Sequence, residues 1–265
     1  MEYRDDILLC LQGAGFQSVE YTAGILRALE DHGIKPGKAM TSSGSSLAMA
    51  LYYSKGLDFI YEMMNKSTPS DFIDIKIVKL AQEVVNLNNH FIDTEPLRKL
   101  LEENMNAEAT KRLLTGITRL RDFKNFMVPA TPATVLAATA IEAVMTPVEI
   151  NGELYGDSGL LNNTPTPSFF EAKNYTHIIM GIGPEPKFDN DPRDSTARFL
   201  INLVQAIAYR EVHQLKESGF IDLDNVSLIQ PPDALGSGLL NWSPDFQFRE
   251  AVRKQTEDLL NGLNL

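Results

Sequence analysis

Apolar residues along this chain follow two alternating rhythms. Short unbroken runs, such as "DILLCLQ" near the start, are bounded by glycines or polar turns and predict buried strands. Residues 18–32, "SVEYTAGILRALEDH", behave differently. Val19, Ala23, Leu26 and the pair Ala28–Leu29 recur at roughly helical spacing, with charges at Arg27, Glu30 and Asp31 and Gly33 as a stop. "KAMT" predicts a second strand, and residues 43–54 a second helix ended by Gly56. Residues 57–125 read as helical, with mixed caps and no strong strand. "TPVEI" and "GELYG" predict short strands around an Asn151–Gly152 turn. "THIIMGIG" predicts a buried strand over 176–183, residues 194–217 a long helix, "NVSLIQPP" a last strand and 246–262 a closing helix. Such alternation predicts an α/β fold of three layers, α/β/α, around a central, mostly parallel sheet. "FDNDPRDS", 188–195, is the best surface loop, and nothing in it is long enough for a domain linker. Residues 1–265 therefore read as a single domain, with 57–125 as a helical pocket or cover on compositional grounds.

Composition narrows the partners. Hydrophobic residues make up 43% of the 265 positions, enough for a sizeable core, and the formal net charge is −11. A surface of that sign repels phosphate backbones, so nucleic acid is not an expected partner. It also offers no general attraction to anionic lipid, so membrane-surface contact would be local or apolar and transient. "IYEMMNK" and "LLTGITRLRDF" have amphipathic faces for such a contact, or for packing on the core. The lone Cys10, inside "ILLCLQ", reads as a buried small side chain and excludes an intrachain disulfide. The opening "MEYRDD" is acidic and lacks the marks of a secretory signal. "ATVLAATAIEAVM" is shorter than a membrane span and contains Glu142. The expectation is a soluble chain, cytoplasmic or exported without a recognisable leader.

Three polar turns carry candidate chemistry. "AMTSSGSSLAMAL", 39–51, sets four serines round one glycine between a strand and a helix. Ser42, Ser43 or Ser45 could cap the helix, or a serine on a sharp strand-to-helix turn could be an exposed nucleophile. "LQGAGFQS", 11–18, places Gly13 and Gly15 between a strand and a helix. It lacks the third glycine and following carboxylate of a dinucleotide site, and the Gly-Lys-Ser/Thr of a phosphate loop. It remains a plain tight turn or an oxyanion hole built from backbone N–H groups at a helix start. "GELYGDSGLLNNTPTPS", 152–168, ends a strand with Asp157, a turn former or a base. In an open α/β sheet, strand ends of this kind meet on one edge, where ligands bind. An oxyanion site, a serine and a carboxylate converging there are the parts of an acyl-transfer site.

These stretches, in this order, resemble the patatin-like phospholipase family, with its glycine-rich turn, Gly-x-Ser-x-Gly elbow and Asp-Gly-Gly/Ala turn. "LLCLQGAGFQSVEYTAGILRALEDHGI" matches the first block, "AMTSSGSSLAMAL" the second and "AATAIEAVMTPVEINGELYGDSGLLNNTP" the third, and "NVSLIQPP" with the final helix resembles the family's end. The resemblance covers most of the chain except 57–125. It implies a lipid acyl hydrolase of the phospholipase A or carboxylesterase type. Ser42 would be the nucleophile and Asp157 the base of a dyad in direct hydrogen-bond contact. The oxyanion would be held by the 13–16 turn, at Gly13, Ala14, Gly15 and Phe16. The substrate would be a lipid or other ester, resolved through an acyl-enzyme. No cofactor or metal is implied, and His32, His90, His177 and His213 show no metal-ligand spacing.

The chain departs from the family pattern at Ala14, Gln17, Ser18, Met40 and Ser158. These departures motivate a non-catalytic lipid-binding module as one alternative. A second is a Ser-Asp-His esterase that uses His177 or His213 after Ser42 and Asp157. A third places the nucleophile at Ser46, about one helical turn too late for an elbow.

Overall fold

Strand β1 (Tyr3–Leu11) runs through the centre of the sheet, and Ile7–Leu11 are buried without a break. A strand covered on both faces needs apolar side chains at every position rather than every second one. The computed structural model describes residues 2–15, 17–66, 74–75, 92–141, 145–159, 161–183, 206, 209–230 and 245–265. After β1 come α1 (Gln17–Asp31), β2 (Lys35–Thr41), α2 (Gly44–Lys55) and α3 (Leu57–Lys66). The two-residue strands β3 (Asp74–Ile75) and β4 (Ile92–Asp93) pair with each other. Next are α4 (Glu95–Asn104), α5 (Ala107–Arg112), β5 (Leu113–Arg119), β6 (Lys124–Pro129) and α6 (Pro132–Thr139). Then follow β7 (Val148–Ile150), β8 (Glu153–Asp157), α7 (Phe169–Ala172), β9 (His177–Gly181), α8 (residues 209–217), β10 (Val226–Ile229) and α9 (Phe246–Leu263).

The main sheet has eight strands in the order β10-β9-β1-β2-β5-β8-β7, with β6 also paired to β5. The run from β10 to β5 is parallel, and β6, β7 and β8 join antiparallel. Alternate residues of β1 face opposite layers, as the two-residue period of a strand requires. Ile7, Leu9 and Leu11 join one core with Ile25, Leu26 and Leu29 of α1 and Leu47 and Leu51 of α2. Leu8 and Cys10 join a second core with Ala172, Ile178, Met180 and Phe220, against which Leu215 of α8 packs. The protein is thus a mostly parallel mixed sheet flanked by helices, as its sequence predicts.

The stretch 57–125 departs from its helical reading. Residues 113–129 form a β-hairpin, β5–β6, with Phe123 at φ 50° near its tip. Leu113, Ile117 and Leu120 fall at helical spacing, which hides the strand. The β-branched Thr115 and Thr118 and the small Gly116 show why it is one: they are buried in the sheet, with Ser158 packed on Gly116. "LLTGITRLRDF" is therefore a buried strand and a turn rather than an amphipathic helix. "IYEMMNK" is helical, and Ile60, Met63 and Met64 face the core. The loop 188–195 and most of the helix expected over 194–217 lie outside the described residues, as does Glu142. Among the described residues, no helix is long and apolar enough to cross a membrane.

Helix α9 lies along α1, and Gly24 allows the approach: a Cβ there would meet the Arg249 carbonyl oxygen at 2.7 Å. The buried Arg249 guanidinium contacts the Glu20 carboxylate at 2.9 Å and lies 4.6 Å from the Tyr61 ring centre. Burial raises the Glu20 pKa, and the Arg249 charge opposes that shift. Removing one partner leaves a buried charge uncompensated. Arg249→Ala is expected to lower unfolding stability in urea by about 3–5 kcal/mol. The paired change Glu20→Leu with Arg249→Met should cost much less, and equal losses would refute this account.

Candidate active site

Strand β2 ends at Thr41 and helix α2 begins at Gly44, so the chain turns at Ser42 and Ser43. Ser43 takes φ 52° and ψ −135°. That region is nearly reserved for glycine and costs a side-chain-bearing residue on the order of 1–3 kcal/mol. Ser43 is the N-cap of α2, yet its side chain makes no capping bond. The other three hydroxyls are engaged elsewhere. Ser42 Oγ lies 2.7 Å from Ser158 Oγ and 3.3 Å from Asn163 Oδ1. Ser45 donates to the Gln12 carbonyl at 2.6 Å and meets Tyr21 Oη at 2.8 Å. Ser46 accepts from Thr115 at 2.6 Å and meets Thr41 at 2.9 Å. Ser46 is thus a buried brace beneath the elbow. Capping explains none of these six side-chain contacts.

Asp157 reaches this turn through the sheet register. Thr41, the last residue of β2, pairs with Thr115 of β5, and two residues on Ile117 pairs with Asp157. Because β6 occupies one edge of β5, β2 and the antiparallel β8 share the other. Their C-terminal ends therefore meet head-on, and Asp157 stands where β2 would have continued. Its backbone N–H donates to the Ala140 carbonyl at 2.9 Å, and its Oδ1 accepts from the Gly159 N–H at 2.8 Å. Only 4% of Asp157 is exposed. Burial pushes its carboxyl up to about 7, opposed by hydrogen bonds from the Ser43 side chain and the Gly159 N–H.

Against that burial, the Ser43 side chain is the hydroxyl that lowers the Asp157 pKa, whereas the motif alignment implied Ser42, whose hydroxyl meets Ser158 and Asn163 instead. The positive φ marks the point where the chain leaves the strand, and it falls one residue later than the alignment placed it. Successive side chains of extended backbone leave on opposite sides. Ser42 is consequently turned to Ser158 and Asn163 and has no exposed surface.

The glycine turn lies against Ser43. A Cβ on Gly13 would fall 2.5 Å from both Ser43 Cβ and Asn163 Oδ1. A Cβ on Gly44 would collide with the Gly15 carbonyl oxygen. Gly15 takes φ 57°, and its carbonyl accepts from the Ser18 N–H at 3.2 Å and the Ser18 Oγ at 2.6 Å. Ser18, at a family glycine, thus closes the turn. The Gly13 N–H donates to the Asn163 carbonyl at 3.1 Å. Its part is close approach, since that N–H is committed away from a substrate oxygen. Ala14 and Gly15 are half-buried, and Phe16 lies outside the described residues. Met40 packs on the second core, and Ser158 serves as the partner of Ser42.

Neither histidine stands between serine and carboxylate. His177 is within β9, and His213 is exposed on α8, edge-on to Tyr209 with ring centres 4.7 Å apart. Among the described residues, no three His, Cys, Asp or Glu side chains are grouped to hold a metal. Sequence reasoning missed Asn163, Thr164 and Glu211, which brace the turn. Glu211 is 48 residues from Asn163 and in no motif, so only the fold connects them.

A strained serine at a strand–helix junction, a buried carboxyl beside it and a glycine turn against its Cβ are the parts that an acyl-transfer site would require. The patatin-like phospholipase family model matches residues 9–170, and the chain belongs to that family. Among solved structures it is similar to VipD from Legionella pneumophila, with 14% identity, 97% of this chain and 66% of that one covered, and a TM-score of 0.46. It is also similar to the type III effector protein ExoU, with 11% identity, coverage of 98% and 53%, and a TM-score of 0.42. Human GIVD cytosolic phospholipase A2, solved with methyl gamma-linolenyl fluorophosphonate, gives 14% identity, coverage of 68% and 41%, and a TM-score of 0.29. The chain thus spans less than two thirds of VipD and about half of ExoU. No curated protein matches it.

The Asp157 carboxyl links stability to pH. Its value rises from 3.8 to about 7 on folding, so the native state binds the extra proton between those limits. The associated stability is present below about pH 4 and is lost as pH rises through about 7, with a span of ~4 kcal/mol. Asp157→Asn should flatten that part of the profile when urea unfolding is compared at pH 5.5 and 8. Parallel profiles for the variant and the parent would refute the assignment.

Proposed function

We propose that this protein is a lipid acyl hydrolase that cleaves carboxylic esters with Ser43 as nucleophile and Asp157 as its base. The observation that carries this reading is the strained Ser43, with its Cβ against Gly13 and its side chain acting on the carboxyl of the buried Asp157. A serine held at such backbone angles, with no capping bond, matches the need of an elbow to expose a hydroxyl. Family membership supports a lipid ester as the substrate class.

The chemistry follows from the groups present. Asp157 accepts the Ser43 proton as Oγ attacks the ester carbonyl, and the carbonyl π pair moves onto oxygen. Backbone N–H groups of Ala14 and Gly15 receive that oxyanion. The intermediate collapses, the C–O bond to the alcohol breaks, and Asp157 returns the proton to the leaving oxygen. Water, deprotonated by Asp157, then releases the acid and restores Ser43. A carboxyl near pH 7 suits both tasks, since it is neither locked as anion nor locked as acid.

A fluorophosphonate should label Ser43, as read by peptide mass spectrometry. Ser43→Ala should lose the label and lower p-nitrophenyl ester turnover by ~10⁴-fold or more. Ser42→Ala should keep the label. Label on Ser42, or turnover retained in Ser43→Ala, would overturn the assignment.

The base and the absence of an imidazole are tested by a pH–rate profile. In the parent, kcat should rise through a single ionisation near pH 7 and level off above it. His177→Gln and His213→Gln should leave kcat and that profile nearly unchanged. A collapse of kcat in either histidine variant would favour a Ser-Asp-His triad.

A further inference from the structure

We propose that Glu211 is a positioning residue of this site: its carboxylate anchors the Asn163–Thr164 backbone, and through Asn163 it holds the glycine turn in its working shape. The catalytic part of this proposal rests on the reading of that turn given above. Glu211 Oε2 accepts the N–H of Asn163 at 2.7 Å and that of Thr164 at 2.8 Å. Asn163 in turn grips Gly13 on both sides. Its carbonyl accepts the Gly13 N–H at 3.1 Å, and its Nδ2 donates to the Gly13 carbonyl at 2.8 Å. Ala14 and Gly15 follow directly, so the direction of their N–H groups depends on where Gly13 is held. Thr164 secures the residue before the turn, accepting from Gln12 Nε2 at 2.7 Å, and Gln12 Oε1 accepts from the Gly183 N–H at 2.6 Å.

Residues 161–168 belong to no helix or strand, so the backbone N–H groups at 163 and 164 have no ladder to join. A carboxylate taking both on one oxygen makes two charge-assisted bonds, each stronger than a neutral one. Burial raises the Glu211 pKa, and the Thr164 and Asn163 N–H groups oppose it, as expected for an anion that is partly desolvated yet engaged.

The test compares Glu211→Ala with Glu211→Gln in the whole chain. Hydrogen exchange of a peptide spanning 11–18 reads the clamp without turnover, and p-nitrophenyl ester kinetics read its effect on catalysis. Glu211→Ala should speed exchange at the turn by roughly tenfold or more. It should also lower kcat roughly 100-fold, the scale of a small misplacement, with KM little changed. Glu211→Gln keeps an oxygen for both N–H groups and should restore most of both. The proposal is overturned if Glu211→Ala leaves exchange at 11–18 unchanged. It is likewise overturned if Gln is as damaging as Ala, or if the loss of kcat merely tracks global unfolding. If the parent chain shows no ester turnover, the hydrolase reading falls, and the exchange result by itself decides the clamp.

Discussion

The candidate site depends on a contact between two backbones. The β2–α2 elbow and the turn after β1 approach so closely that a Cβ on Gly44 would strike the Gly15 carbonyl oxygen and one on Gly13 would strike Ser43. Separate them by one methyl group and Ser43 loses the neighbour that would receive a substrate oxygen. The contact also helps to hold Ser43 at backbone angles that cost ~1–3 kcal/mol in isolation. The hydroxyls beneath it share that task. Ser45 reaches back to Gln12 and Tyr21, and Ser46 binds Thr41 and Thr115, so the first turn of α2 is tied to the turn after β1, to α1, to the end of β2 and to β5. The serine cluster is thus one reactive candidate and a set of braces.

Electrostatics complete what sterics begin. A carboxyl sealed beneath the sheet edge resists ionisation, and among the described residues the Ser43 hydroxyl and the Gly159 N–H offset the lost hydration. The outcome, a group that titrates near neutrality, needs no imidazole partner. It follows from the head-on meeting of β2 and β8 on β5, which puts Asp157 past the end of β2 and out of water. The antiparallel run of β8 on the same edge of β5 as β2 is what brings Asp157 to the elbow.

Much of this was legible in the sequence, because it is encoded locally. Continuous apolar runs identify β1 and β9, and helical spacing identifies α1. The Asn151–Gly152 turn, both residues at positive φ, joins β7 to β8. The three polar turns and their order were also plain, and with them the family. Local pattern misled where two periods coincide. In 113–120 the apolar residues fit a helix, but Thr115, Gly116 and Thr118 are buried between neighbouring strands, a fact of the sheet and not of the segment.

Tertiary structure decided which serine meets the carboxylate. Four hydroxyls within five residues are chemically alike, so no spacing rule separates Ser42 from Ser43. The difference is a backbone angle set by how α2 docks on the glycine turn. The same holds for the groups that brace the site. Nothing near Asn163 in sequence points to Glu211, because hydrogen bonds between distant segments leave no periodic trace. What the sequence determined was the inventory of strands, helices and polar turns, since propensity and periodicity act over a few residues. What only the fold decided was register, direction and burial, since these depend on partners far along the chain.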